Sequence, residues 1–234
     1  MKTAPLFRNR REAGRALALS VREAVREAVR EEVCLVLALP RGGVPVGFEV
    51  AVALGAELDL LLVRKLGLPE DEELAMGALA SGGVRVLNDD LIQDLNLSPK
   101  FIDDITARER REMDRREAAY RGSRPRVKVR DRTVILVDDG LATGATMLAA
   151  CRTLAQQAPA TLTVAVPVAA PRVCDQFRAE ADRVICLETP EPFSSVGRWY
   201  EDFTQISDEE VRELLAQAAA ASKLRAGLPD SREC

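Results

Sequence analysis

Apolar runs of strand length recur along the chain and constrain its fold more than any other feature. They occupy residues 33–39, 58–63, 134–137, 162–168 and 183–187. Runs that are apolar at nearly every position are typical of strands buried on both faces of a parallel sheet. Segments with helical spacing or helix-start signals lie between or beside them, at residues 8–32, 44–54, 98–120, 147–157, 173–181 and 207–221. The alternation predicts an α/β fold, with a mostly parallel sheet flanked by helices.

The composition excludes several classes of protein. No apolar run approaches the roughly 20 residues of a membrane-spanning helix, and the N-terminus lacks the apolar core of a secretory signal. A net charge of −4 argues against a general nucleic-acid binder. The chain has no histidine, and its five cysteines never form a CxxC pair, which argues against zinc. We therefore expect a cytoplasmic protein with reduced, mostly buried thiols and no membrane partner.

The most specific motif is VILVDDGLATGATM, in which an apolar strand at 134–137 ends in two adjacent aspartates. Ligands of open α/β sheets bind at the carboxyl ends of strands. Asp138 and Asp139 are acceptors suited to two vicinal sugar hydroxyls. Residues 143–146 bring backbone N–H groups and two threonine hydroxyls to a helix start, where the dipole favours an anion. The motif predicts a ribose 5-phosphate site; the alternative is a polar turn that only caps the helix.

Other phosphate motifs do not fit this stretch. A P-loop requires Gly-Lys-Ser/Thr, and a dinucleotide fingerprint requires GxGxxG after the strand; neither is present. A DxDxT phosphatase separates its two aspartates by one residue, whereas Asp138 and Asp139 are adjacent.

The motif resembles the phosphoribosyl-pyrophosphate loop of the type I phosphoribosyltransferases. The resemblance implies that Asp138 and Asp139 bind the ribose hydroxyls of phosphoribosyl pyrophosphate. It also implies that the next loop binds the 5-phosphate, through Ala142, Thr143, Gly144, Ala145 and Thr146.

Two further segments carry the same resemblance, in the family's order. LPRGG follows the first strand and resembles the pyrophosphate loop, where Arg41 pairs with pyrophosphate. Gly42 and Gly43 would let backbone N–H groups approach the phosphate oxygens. VRKLGLP resembles the strand end and flexible loop of the adenine-type enzymes, which implies that the basic pair Arg64 and Lys65 faces the pyrophosphate. Taken alone, RGG equally marks a turn before a helix, and cations at strand ends are common.

The whole chain is similar to a group of stand-alone bacterial members of this family whose acceptor is not established. PRGGVPVG, VRKLGLP, LVDDGLATGAT, VAVPVAAP and VGRWYEDF carry that similarity. It implies one domain over residues 1–234 with an α/β core at 33–188. A flexible loop, a hairpin and a charged helix are expected at 66–125. A small hood would combine residues 189–221 with the N-terminal helix 8–32.

The resemblance implies transfer of the 5-phosphoribosyl group from phosphoribosyl pyrophosphate to a nitrogen acceptor, a nucleobase or related heterocycle, with release of pyrophosphate. Arg41, Lys65 and Mg²⁺ would neutralise the leaving group while Asp138 and Asp139 stabilise the cationic sugar. Magnesium would be held mainly by the donor and water, with those two aspartates as the candidate protein ligands.

Two features bear on the acceptor. The 6-oxopurine enzymes of the family carry an aspartate where this chain has Ala142, which argues against hypoxanthine, guanine or xanthine. Aromatic residues near the C-terminus, Phe193, Trp199 and Tyr200, either stack on a flat acceptor in the hood or fasten this segment to the body.

The main alternative is a regulator that senses phosphoribosyl pyrophosphate or a nucleotide without catalysis. Arginines between residues 108 and 130 are the feature that favours it. They alternate with acids up to Glu117, which is more typical of a solvated helix or of a homodimer contact. No nucleic-acid partner is therefore expected.

Overall fold

Five parallel strands form the main sheet of the computed structural model, which describes residues 4–25, 34–68, 71–122 and 124–226. Each pairs in register with its neighbour. In spatial order they are β2 (Glu57–Leu60), β1 (Leu35–Ala38), β6 (Thr133–Val137), β7 (Thr161–Val168) and β8 (Arg183–Glu188). The predicted α/β fold with a parallel sheet is confirmed, and all four residues of β1 are buried because helices cover both faces.

Alternation along the strands divides the core between the two faces of the sheet. Val36 and Ala38 of β1 pack with the helices α1 (Arg10–Ala24), α2 (Gly43–Leu54) and α7 (Asp208–Ala226). Leu35 and Leu37 point the other way. That second layer is formed by α5 (Ala145–Ala155) and α6 (Pro171–Gln176), which continues into a 3-10 turn at Phe177–Ala179.

A second, antiparallel sheet stands beside the first. It consists of β3 (Val63–Leu68), β4 (Asp71–Ala80) and β5 (Val84–Leu87). The helices α3 (Asp89–Asp94) and α4 (Pro99–Arg121) follow it in the chain. The hairpin predicted within residues 66–125 is confirmed as the β4–β5 turn, and the predicted charged helix is α4.

The sequence predicted one strand over residues 58–63, and this was wrong. The Leu62 N–H donates to Ser81 Oγ at 3.1 Å, and the Ser81 N–H donates to the Leu62 carbonyl at 2.9 Å. The chain therefore pairs with β4 from this point and no longer with β1. No turn residue interrupts the apolar run, so the change of sheet leaves no mark in the sequence.

The loop expected from residue 66 is also different in the structure. β3 continues to Leu68 and pairs with β4, with irregular register around Gly67. Gly67 and the following proline gave this stretch the composition of a loop. Of the acidic residues 70–73, residue 70 lies outside the described residues, and β4 begins at Asp71.

Apart from α3, which was not predicted, the remaining elements match the sequence patterns closely. α1 confirms the N-terminal helix as far as Ala24, while residues 26–32 lie outside the described residues. Ser98 and Ser207 cap α4 and α7, accepting hydrogen bonds from the N–H groups of residues 101 and 210. Within the described ranges, no helix combines the length and apolar character needed to cross a bilayer.

The cysteines differ from expectation at one pair. Cys174 of α6 and Cys186 of β8 form a disulfide, with their Cα atoms 6.6 Å apart. The two lie twelve residues apart in the chain and are brought together because α6 packs against the sheet. Cys34 and Cys151 are buried outside the disulfide, as predicted, and burial raises the pKa of Cys151 to about 12. Cys234 lies outside the described residues.

Candidate functional site

The loops after β1 and β6 meet at the carboxyl edge of the main sheet, because these two strands are neighbours. The contact is close enough to require glycine on one side. A Cβ on Gly42 would lie 2.0 Å from Asp139 Oδ2, and one on Gly43 would lie 2.8 Å from the Val137 carbonyl oxygen. The two glycines thus place the PRGG loop directly on the acidic pair, in addition to the role predicted for their N–H groups. The peptide bond between Pro40 and Arg41 is cis.

The expected phosphate loop leads into α5, which begins at Ala145. Gly144 adopts a left-handed conformation with φ of 72°, and a Cβ there would lie 2.8 Å from Val173. Both facts favour glycine. Thr143 and Thr146 are exposed on either side. The first N–H groups of a helix have no partner within it, so this turn presents donors and the positive end of the α5 dipole to the same solvent-facing space.

Asp138 lies at the base of this loop and is held by its neighbour. Its Oδ1 accepts a hydrogen bond from the Asp139 N–H at 2.8 Å. Burial, together with the charge of Asp139, raises the pKa of the Asp138 carboxyl well above its usual value. A buried carboxylate at a strand end is stabilised when donors such as sugar hydroxyls or a cation reach it.

Asp139 is bound by an arginine that the sequence analysis did not identify. The Arg10 Nε–H donates to Asp139 Oδ2 at 2.7 Å, and the two side chains are only 8% and 14% exposed. Arg10 also donates to the Thr204 carbonyl and lies 3.8 Å from the Phe203 ring centroid. Burial raises the pKa of Asp139, and Arg10 opposes that shift. The Tyr200 hydroxyl donates to the Asp139 carbonyl at 2.6 Å.

The C-terminal aromatic residues fasten this segment to the body of the protein. Trp199 and Tyr200 are 2% and 4% exposed and share a cluster with Phe7. The N–H of Phe7 donates to the Trp199 carbonyl at 3.0 Å. Phe193 is half-buried, with its ring centroid 6.2 Å from that of Trp199. Of the two readings left open by the sequence, packing accounts for Trp199 and Tyr200, since neither offers a free ring face.

Arg64 and Lys65 of β3 point to opposite faces of the strand, because successive side chains of a strand alternate. Arg64 faces α4, where its Nη2 lies 2.7 Å from Glu109 Oε2. Lys65 belongs to the opposite face and lines a cleft of about 320 Å³ between the second sheet and α5. Thr143 of the phosphate loop and Arg152 line the same cleft. The resemblance implied that both Arg64 and Lys65 face the pyrophosphate. In the structure, only Arg64 of the two lines the same cleft as Arg41.

That second cleft, which we call the arginine cleft, has a volume of about 110 Å³. Arg41 and Arg64 line it together with Thr146 of the phosphate loop. Two residues of α4, Arg116 and Tyr120, complete its wall. The sequence analysis missed them because α4 has the charge pattern of a solvated helix; the single tyrosine within that pattern was the available signal.

The metal-ligating residues are few. No group of three or more histidine, cysteine or acidic residues is arranged for a metal ion within residues 4–25, 34–68, 71–122 and 124–226. At the acidic pair, Asp139 is bound to Arg10, and Asp138 accepts from the backbone. Two carboxylates fit a magnesium ion that takes most of its ligands from a bound diphosphate and from water.

Comparison with known proteins agrees with this geometry. Residues 11–197 match the phosphoribosyl transferase domain. A Mycobacterium tuberculosis protein named as a phosphoribosyl transferase is 44% identical over 213 residues, which is 91% of this chain and 47% of the relative. The chain belongs to the phosphoribosyl transferase family, and it spans about half the length of this relative.

Solved structures agree in fold. The crystal structure of TT1426 from Thermus thermophilus is 42% identical, with a TM-score of 0.80, and the match covers 90% of this chain and 98% of that one. The AQ2163 protein from Aquifex aeolicus is 12% identical with a TM-score of 0.50, covering 82% and 85% of the two chains. At that identity the likeness concerns the fold alone.

Proposed function

We propose that the chain is a phosphoribosyltransferase, which moves the 5-phosphoribosyl group from phosphoribosyl pyrophosphate to a nitrogen acceptor. The observation that carries the proposal is the contact between the two loops. The glycines of PRGG lie against Asp138 and Asp139, whose own loop continues into the α5 N-terminus. One donor molecule could therefore bind its pyrophosphate, ribose and 5-phosphate along a continuous edge of the sheet.

The three parts of the donor would meet different chemistry. The N–H groups and threonine hydroxyls of residues 142–146 suit the 5-phosphate. The Asp138 carboxylate suits the ribose hydroxyls and the positive charge that develops on the sugar as the leaving group departs. Arg41 and Arg64 suit the pyrophosphate, since guanidinium groups pair bidentately with phosphate oxygens.

Magnesium is the expected cofactor. Asp138 and Asp139 would be its protein ligands, with donor oxygens and water completing the shell. When bound, the ion would neutralise charge on the departing pyrophosphate. The arginines of this chain would orient the diphosphate on the side of the pyrophosphate loop, and Asp138 would orient the ribose.

The acceptor is constrained by Ala142, which is exposed at the start of the phosphate loop. It provides no carboxylate for a purine ring nitrogen, and an unpaired buried polar group costs about 1–3 kcal/mol. We predict that hypoxanthine, guanine and xanthine are used at least about tenfold less efficiently than a preferred acceptor. Efficient turnover of hypoxanthine by the unmodified protein would refute this prediction. An Ala142→Asp variant that gains such turnover would support it.

The test of the proposed function is release of pyrophosphate from phosphoribosyl pyrophosphate with magnesium, measured across purines, pyrimidines, pyridines and small amines. Acceptor-dependent release that is lost in Asp138→Asn would support it. The absence of release with every acceptor would contradict catalysis.

One observation favours the alternative, a sensor that binds the donor without transfer. Asp139 is already paired with buried Arg10, so part of the negative charge beside the ribose is compensated within the protein. Tight binding of phosphoribosyl pyrophosphate without acceptor-dependent release would identify such a sensor.

A further inference from the structure

The arginine cleft gathers positive charge from three separate parts of the chain. Arg41 comes from the loop after β1, Arg64 from β3, and Arg116 from α4. Like charges at one small cleft repel one another unless anions compensate them. Such a convergence, in a cleft of about 110 Å³, is typical of an anion site.

Each arginine has a resident carboxylate partner. Arg41 Nη1 lies 3.3 Å from Asp208 Oδ1 of α7, and Arg116 Nε lies 2.7 Å from Glu112 Oε1. Arg64 pairs with Glu109. These partners lie on the flanking helices α4 and α7. The three arginine side chains are 33–44% exposed, so an incoming anion can reach them.

α4 is fixed well enough to hold Arg116 in place. At its C-terminal end Arg121 forms an ion pair with Asp59 of β2, with both side chains 9% exposed. One turn after Arg116, Tyr120 is buried, and its hydroxyl donates to Asp208 Oδ1 at 3.1 Å. Arg116 and Tyr120 are four residues apart, so they share the face of α4 that lines the cleft.

The neighbouring Arg115 provides an internal contrast. It pairs with the same Glu112, at 2.9 Å, but is 68% exposed and does not line the cleft. Successive residues of a helix point about 100° apart, which turns Arg115 away. The two arginines thus share a helix, a partner and a charge, and differ in whether they face the cleft.

We propose that Arg116 of α4 is a ligand of the pyrophosphate group, acting with Arg41 and Arg64. This inference rests on the proposed function and deepens it, because it assigns part of the donor site to a helix outside all the loops that resemble the family. The recognised chemistry is a diphosphate, held either as part of the donor or as the free product.

The experiment compares Arg116→Ala with the matched control Arg115→Ala. Calorimetry measures binding of phosphoribosyl pyrophosphate, inorganic pyrophosphate and ribose 5-phosphate to both variants and to the unmodified protein. Loss of one charge-assisted pair should weaken the two diphosphate ligands by about tenfold or more in Arg116→Ala. The affinity of Arg116→Ala for ribose 5-phosphate should stay within about twofold of that of the unmodified protein. The affinities of Arg115→Ala for all three ligands should stay within the same limit.

Two results would overturn the inference while leaving the proposed function in place. The first is that the two variants bind pyrophosphate with equal affinity. The second is that Arg116→Ala loses as much affinity for ribose 5-phosphate as for the donor. The second would indicate a general structural effect. A failure of the unmodified protein to bind any of the three ligands would instead overturn the proposed function. Retention of part of the diphosphate affinity by Arg116→Lys, which keeps the charge without the guanidinium fork, would support the assignment.

Discussion

The phosphate loop and the arginine cleft are both candidate phosphate sites, yet they are built from different chemistry. The loop at residues 142–146 contains no cationic side chain and offers N–H groups at the start of α5. The cleft offers three arginines, each already paired with a carboxylate. Fixed backbone donors need no reorganisation when an anion arrives, whereas paired arginines must exchange or share their partners. Substitutions can therefore separate the two halves of the proposed donor site.

Asp138 lies against Gly43 and precedes the phosphate loop, and its replacement should have the largest effect. In Asp138→Asn we expect affinity for both phosphoribosyl pyrophosphate and ribose 5-phosphate to fall about 100-fold or more, since two charge-assisted hydrogen bonds are lost. Calorimetry measures both ligands. Unchanged affinity for either one would mean that Asp138 does not bind the ribose. Because burial raises the pKa of this carboxyl, the neutral variant should also be at least as resistant to thermal unfolding as the unmodified protein.

The basic pair of β3 offers the sharpest contrast between the regions. Arg64→Ala should weaken binding of pyrophosphate by about tenfold, because it removes a cation from the arginine cleft. Lys65→Ala should leave pyrophosphate affinity within about twofold, since Lys65 lines the other cleft. The two variants change adjacent residues and the same charge, so each controls for the other. A larger loss of pyrophosphate affinity in Lys65→Ala than in Arg64→Ala would contradict this assignment.

Asp139→Asn should lower stability, in contrast to the same change at Asp138. It would leave the Arg10 guanidinium buried with one neutral partner in place of its carboxylate. We expect destabilisation of about 1–3 kcal/mol, or several degrees in melting temperature for a chain of this size. Thermal unfolding without ligand measures it. A melting temperature equal to that of the unmodified protein would mean that the Arg10 ion pair contributes little.

The smallest predicted effect is the pH dependence of the stability that Glu117 of α4 contributes. Burial raises the pKa of the Glu117 carboxyl, but Arg126 and Arg121 outweigh burial and leave that pKa below its usual 4.5. A depressed pKa stabilises the fold above the unfolded value and loses this contribution as the pH falls through the folded value. Glu117→Gln should therefore lower the melting temperature at pH 7 and narrow the gap to the unmodified protein below pH 4.5. A gap that stays constant with pH would contradict this.

How far the sequence predicts this molecule depends on whether the relevant contacts are local. The acidic pair and the phosphate loop occupy one contiguous segment, so their chemistry can be predicted from the sequence alone. Arg10 meets Asp139 across 129 residues of sequence. Arg116 lies in a helix whose charge pattern resembles a solvated surface. Neither role has a local signal.

The second sheet illustrates the same limit. Residues 58–63 are apolar except for Asp59, and only the pairing of Leu62 with Ser81 reveals that the chain has changed sheets. Once β3 is a strand, alternation alone separates Arg64 from Lys65. The resemblance of VRKLGLP to a family segment identified the cations but not the faces on which they lie.

We claim that one donor molecule spans both phosphate regions, and competition binding provides the test. Phosphoribosyl pyrophosphate should bind to one site per chain, and ribose 5-phosphate and inorganic pyrophosphate should each displace it. In Arg64→Ala, pyrophosphate should displace the donor less effectively. Displacement by ribose 5-phosphate should be unchanged. Donor binding that only one of the two fragments can displace, or no donor binding at all, would contradict the claim.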